Sequence, residues 1–215
     1  MVRVIRPALQ HLIAALVALT LSSSTALAHG KNTAPGHHKP LPVVATSHSP
    51  LPFDVGGPFN LIDQNGTPRT QTDPDGRAQL LFFGYANCPG ICSAAMPMMA
   101  DATDLLTGMG LPIRPVMITV DPTRDKVADM GKPMALLHPN FIGLTGSEAA
   151  LSQAYRAYSV EKELAYIDPE FGPVYSHGSF IYLLDAKGEV LTLFPPVLDA
   201  ARVASIVQGY IGAKE

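Results

Sequence analysis

Long apolar runs, basic clusters and cysteines are all scarce in this sequence, and each scarcity excludes something. The apolar stretch at residues 12–21, LIAALVALTL, is about half the roughly 20 residues that a membrane-spanning helix needs. Arg3 and Arg6 precede it and Ala26-Leu27-Ala28 follows it. That is the pattern of an export signal over residues 1–28, cut after Ala28. No cysteine stands near the cut, which argues against a lipid anchor. With 15 basic and 18 acidic residues the net charge is −3, and no basic run is present. Nucleic acid is therefore set aside as a partner. Two cysteines cannot make a disulfide framework. None is needed, because a chain of 215 residues should bury on the order of 70% of its unfolded surface.

What is present falls into three segments. Export is expected to bring the mature chain to a periplasm, an oxidising compartment where two thiols can pair. Membrane contact would follow only from a retained signal segment. Residues 29–52, rich in Pro, His and small residues, read as a flexible tether. Residues 53–215 read as one folded domain.

Within that domain, FNLID at 59–63, a turn at Gln64-Asn65-Gly66 and a short return strand predict a hairpin. The apolar run at 78–85 reads as a buried central strand, and 93–106 as a helix ended by Gly108 and Gly110. A second buried strand is expected at 113–120. Asp121-Pro122 should open a helix, with Asp121 as N-cap and Pro122 at the first helical position; Gly131 and Pro133 should interrupt it. A short strand at 141–144 precedes a helix capped by Ser147, with Leu151, Ala154, Tyr155 and Tyr158 on one stripe. A loop is expected at 168–177, then a hairpin of strands 180–184 and 189–194, then a closing helix at 198–211. Alternating strands and helices predict an α/β fold, a central mixed sheet flanked by helices. The terminal ββα after two βα units is thioredoxin-like.

Cys88 and Cys92 stand at a strand-to-helix turn, in GYANCPGIC. A helix N-terminus stabilises thiolate over thiol. If the segment is helical, residues four apart share a face, and the two sulfurs can pair or grip one soft metal. Two thiolates do not decide between redox chemistry and metal binding; a third ligand would. His177, in YSHGS just before the strand at 180–184, stands in a loop expected to face the cysteine turn. It reads either as a loop histidine bonded to backbone or as the nitrogen of a Cys₂His site suited to copper. His138 reads as a helix-end histidine near the last carbonyls.

The Cys-Pro-x-x-Cys run after Gly84-Tyr85, the Asp121-Pro122-Thr123-Arg124-Asp125 run, FIGLTG at 141–146 and His177-Gly178-Ser179 together resemble the SCO/SenC family. The resemblance covers about residue 53 to the C-terminus. It implies a thioredoxin-like fold binding Cu(I) or Cu(II) through Cys88, Cys92 and His177. It also implies a copper chaperone for the dinuclear copper centre of cytochrome c oxidase, or a reductant of that centre's cysteines. The partners implied are a copper-receiving oxidase subunit and other periplasmic copper carriers. The alternative is a periplasmic thiol–disulfide oxidoreductase, with Cys88 and Cys92 as its redox pair and no metal role. Where the family usually carries Asp-Val between the cysteines this chain has Gly90-Ile91, it has Ser93 where Pro usually follows, and Ser176 stands where Asp usually precedes the histidine. A less anionic site should favour Cu(I) over Cu(II).

Other residues carry two readings each. Asp121 and Asp125 are helix-capping and first-turn charges, or carboxylates behind the metal site, with Arg124 pairing with either. Met96, Met98 and Met99 read mainly as core, with one exposed thioether available to hand copper over. His29, His37, His38 and His48 read as a solvated linker or as a weak second copper site, in which His29 would add the new N-terminal amine.

Overall fold

Residues 51–212 are described by the computed structural model. The expected export signal, nearly all of the expected tether and the histidines at 29, 37, 38 and 48 lie outside them. Seven strands form one mixed sheet in the order β2-β1-β5-β4-β3-β8-β9, and β6 with β7 forms a separate antiparallel ribbon. The centre is β3 (Ala78–Gly84) beside β4 (Ile113–Thr119), parallel, with β5 (Ile142–Thr145) parallel to β4. Parallel neighbours need crossover helices. These are α1 (Cys92–Gly108) and α2 (Val127–Leu137). Every residue of β3, β4 and β5 is buried, so the run of apolar residues without alternation marks strands covered on both faces.

The flanks are antiparallel. β1 (Leu61–Asp63) joins β5 and carries β2 (Pro68–Arg69); β8 (Ile181–Leu184) joins β3 and carries β9 (Val190–Phe194). Helix α3 (Glu148–Ala157) is capped by Ser147, whose hydroxyl accepts from Ala150 N–H at 3.2 Å. Helix α4 (Ala200–Ile211) packs on α1. The Phe83 ring meets Tyr155 and Tyr158 of the α3 segment, whereas a Cβ at Gly84 would touch Cys92 Sγ of α1. Successive strand residues point to opposite faces, so α1 and α3 lie on opposite sides of the sheet. The expected mixed sheet, flanking helices and first hairpin are all present.

Three local expectations need correction. Asp121-Pro122 does not open the second helix. Residues 121–125 make a single turn, Lys126 returns to extended backbone, and α2 starts at Val127. Gly131 and Pro133 do not interrupt α2; the carbonyl that loses a donor to Pro133 belongs to exposed Asp129. The expected loop at 168–177 is mostly strand: β6 (Lys162–Asp168) and β7 (Gly172–His177) pair across a tight turn. Asp168 accepts the Glu170 and Phe171 N–H groups there, and Gly172 takes φ +72°, so the Asp-Pro and Gly-Pro pairs frame a hairpin turn.

Asp63 fixes the first hairpin. Fully buried, it accepts from Asn65 N–H, Thr67 N–H and Arg69 Nε at 2.8, 3.0 and 2.9 Å. Burial alone would raise its carboxyl, but the bonds from Thr67, Arg69 and Asn65 outweigh it and hold the pKa below the usual range. A lowered folded pKa adds stability that is present above the unfolded value of about 3.9 and is lost as pH falls through the folded value. Asp63→Ala should therefore cost about 3 kcal/mol at pH 7, and the gap to wild type should shrink below pH 4. Urea unfolding at pH 7 and pH 3 measures both.

Candidate metal centre

The cysteines sit where β3 ends, at the carboxyl edge of parallel strands, where open α/β sheets place their ligand sites. Cys88 is not in a helix. It stands in the turn after β3, its N–H bonded to Tyr85 O at 3.2 Å, and Cys92 is the first residue of α1. The turn, not a shared helix face, brings the sulfurs together, which corrects the helical expectation. Cys92 is fully buried and Cys88 half-buried; both are free thiols. Gly84 is required here by close approach: a Cβ would stand 2.6 Å from the Phe82 ring and 3.1 Å from Cys92 Sγ.

His177 closes the site as the last residue of β7. Its donor atom and the two sulfurs lie within 4.8 Å of one another, close to the span that one first-row ion bridges with bonds of roughly 2.0–2.3 Å. Nε2 stands 3.7 Å from Cys92 Sγ. Nδ1 is 3.0 Å from Gly178 O, which can only accept, so Nδ1 donates there and the bond turns Nε2 toward the sulfurs. Phe82 and Tyr85 hold the imidazole edge-on, with centroids at 5.9 and 6.0 Å. Features of both readings of His177 are present: the ring is bonded to backbone, and that bond leaves Nε2 directed at the sulfurs.

The two thiols differ sharply. A hydrogen bond from Cys92, helped by His177 and the N–H groups of Cys92 and Gly90, holds Cys88 down at about 4 against the opposing effect of burial. Its bond to Cys88, burial and the Cys88 charge push Cys92 upward. Burial, with the Cys88 sulfur beside it, pushes the Tyr85 phenol up to about 12. Cys88 opens on two clefts: one of 170 Å³ bounded by Tyr85, Tyr175 and His177, and one of 300 Å³ bounded by Met96, Pro97 and Leu136.

Asp121 and Asp125 do not reach the sulfurs. Asp125, buried, accepts from Thr119 Oγ1 at 2.7 Å and from Ala86 N–H at 3.1 Å, so it pins the chain two residues before Cys88. Asp121 pairs with Arg124 Nε, which settles the partner of that arginine. Arg124 also donates to Phe171 O and, at 2.6 Å, to Pro173 O, and its guanidinium stands 5.5 Å from the Tyr85 ring centre. Arg124 thus ties the turn after β4 to the ribbon that carries His177. Sequence reading missed this tie, since both of its acceptors on the ribbon are backbone carbonyls. The rings of Phe82 and Tyr85 were missed as well; the only signal was Tyr85 itself in the GYANC run. Met96, Met98 and Met99 are all buried, so none of the three offers an exposed thioether and that expectation is corrected. His138 caps α2 as expected, bonded to Asp104 at 3.1 Å and far in role from the metal centre.

A family model described as SCO1/SenC matches residues 47–212. The chain belongs to the SCO1/SenC family. An SCO2-like protein of Rickettsia conorii is 36% identical over 142 residues, 65% of this chain and 69% of that one. The crystal structure of Arabidopsis thaliana ScoI with copper bound is similar at a TM-score of 0.69 and 28% identity, covering 74% of this chain and 99% of the other. Yeast Sco1 with copper bound gives 0.68 and 26%, covering 76% and 91%. The sheet and its four helices are thioredoxin-like. Gly90 lies beside the first sulfur: a Cβ there would stand 3.8 Å from Cys88 Sγ.

The arginine tie yields a direct expectation. Charge-assisted hydrogen bonds contribute about 1.5–3 kcal/mol each. Arg124→Met should leave the sheet intact and raise amide exchange in β6 and β7 by about tenfold or more. Hydrogen exchange read by mass spectrometry, with β3 and β4 as internal reference, checks it.

Proposed function

We propose that this protein is a periplasmic copper chaperone that holds one copper between Cys88, Cys92 and His177. It delivers that copper to the dinuclear centre of cytochrome c oxidase or keeps the cysteines of that centre reduced. The observation that carries the reading is the convergence of two sulfurs and the His177 imidazole nitrogen within 4.8 Å. Soft thiolates with one imidazole in a three-donor set suit copper. Copper here is cargo: the chain's own part is to present Cys88 at the surface, to keep Cys92 buried, and to hold His177 Nε2 toward both. The copper-bound state of the A. thaliana and yeast relatives agrees with the reading. A metal-free thiol–disulfide oxidoreductase would use the lowered Cys88 and the imidazole beside it, but does not need all three donor atoms to converge within the span of one ion.

We read residues 1–28 as a removable export signal and residues 29–52 as a tether. Its histidines, His29, His37, His38 and His48, with the amine of a new N-terminus, would hold a weaker Cu(II). The tether has no sulfur, so it should not compete for Cu(I).

Anaerobic titration tests the site. Reduced protein should take one tight Cu(I). Cys88→Ser or Cys92→Ser should weaken it by more than the roughly 10–100-fold that loss of an outer-shell partner costs. His177→Ala should weaken Cu(I) and remove the thiolate-to-Cu(II) absorption. Deleting residues 29–50 should remove only a second, weaker Cu(II) equivalent. Tight one-to-one Cu(I) binding in both cysteine variants would refute the site.

A further inference from the structure

The β6–β7 ribbon is short of cover. Among the described residues β6 pairs only with β7. A two-stranded ribbon is marginal alone, and the Arg124 bonds to Phe171 O and Pro173 O fasten this one. Five large apolar side chains stand exposed between positions 164 and 180: Leu164, Tyr166, Ile167, Phe171 and Phe180. Ile167 is 70% exposed and Leu164 56%. Such a concentration beside a functional site marks an interaction surface.

Register decides which of them adjoin the metal centre. Side chains two apart on a strand share a face, so Pro173, Tyr175 and His177 look the same way. Their cross-strand partners are Ile167, Leu164 and Lys162. Leu164 and Ile167 therefore extend, outward along the ribbon, the same face that presents the imidazole. The rim of that face is acidic, from carboxylates on the other side of β6 and at the hairpin turn. Glu161, Glu163, Asp168 and Glu170 are the acids of this run, and Lys162 is its one base. The Lys162 ammonium is already held over the Tyr175 ring at 4.5 Å.

We propose that this ribbon face is the docking surface for the protein that exchanges copper with Cys88, Cys92 and His177. The inference rests on the copper reading above. The partner it fits presents an apolar patch rimmed by Lys and Arg. Four carboxylates would repel a second copy of this chain and an anionic lipid surface alike, so neither of these is the occupant. A small apolar centre with a charged rim suits a short-lived encounter, in which opposite charge speeds arrival.

The test uses the mature chain loaded with Cu(I) and two probes: the apo copper domain of the cognate cytochrome c oxidase, and an apo periplasmic copper carrier from the same cell. Stopped-flow copper exchange is read at low and high salt. Leu164→Ser with Ile167→Ser should slow exchange with the partner at least about tenfold. Glu163→Lys with Glu170→Lys should slow it and flatten its salt dependence. Ile62→Ser, an exposed apolar position on β1, should change neither. Cu(I) stoichiometry is measured on every sample, so failure of the copper reading shows there and not in the rates. Equal rates in wild type and both ribbon variants, with either probe, would overturn the docking surface, as would absence of exchange with both.

Discussion

Everything functional in this molecule depends on one approach, that of His177 Nε2 to Cys92 Sγ at 3.7 Å across 85 positions of sequence. No local preference of the chain produces it. It requires β3 to end beside the start of α1, and β7 to end above both. The first follows from a parallel sheet whose crossover helix starts at the strand's carboxyl edge. The second depends on a ribbon outside the main sheet, which Arg124 and the Tyr85 ring hold in place. Glycine at position 84 leaves the room Cys92 Sγ needs against the strand.

The electrostatics of the site follow from that geometry. Cys92 is sealed and held up by burial and by its bond to Cys88, while Cys88 is half-buried and held down. One sulfur is thus ready for contact and the other kept in reserve. Gly90 and Ser176, which bring no carboxylate, are both exposed and both at the mouth of the 170 Å³ cleft. Charge is therefore carried by the thiolates themselves and not by flanking carboxylates, which suits a soft monovalent ion better than a harder divalent one.

Most of the sheet was legible in the sequence because its central strands are buried on both faces and so read as unbroken apolar runs. The convergence of Cys88, Cys92 and His177 was legible too, since only two cysteines exist and one late histidine precedes an apolar strand. What escaped was carried by tertiary bonds. Asp121 looks like a helix cap, but its carboxylate is taken by Arg124. Residues 162–177 lack an apolar alternation because the ribbon is exposed on β6, and its two prolines read as loop punctuation. Pro133 sits inside α2 because the carbonyl it deprives lies on the exposed side, a distinction that pattern alone does not make. The methionines after Cys92 read mainly as core with one thioether left exposed, yet α1 is covered by the sheet, α2 and α4, and all three are buried.

The coordination sphere of the bound ion tests the account most directly. X-ray absorption at the copper edge of the reduced, Cu(I)-loaded chain should show two sulfur scatterers and one imidazole nitrogen, with the nitrogen lost in His177→Ala and one sulfur lost in Cys88→Ser. A sphere with one sulfur or none, or one that His177→Ala leaves unchanged, would contradict it.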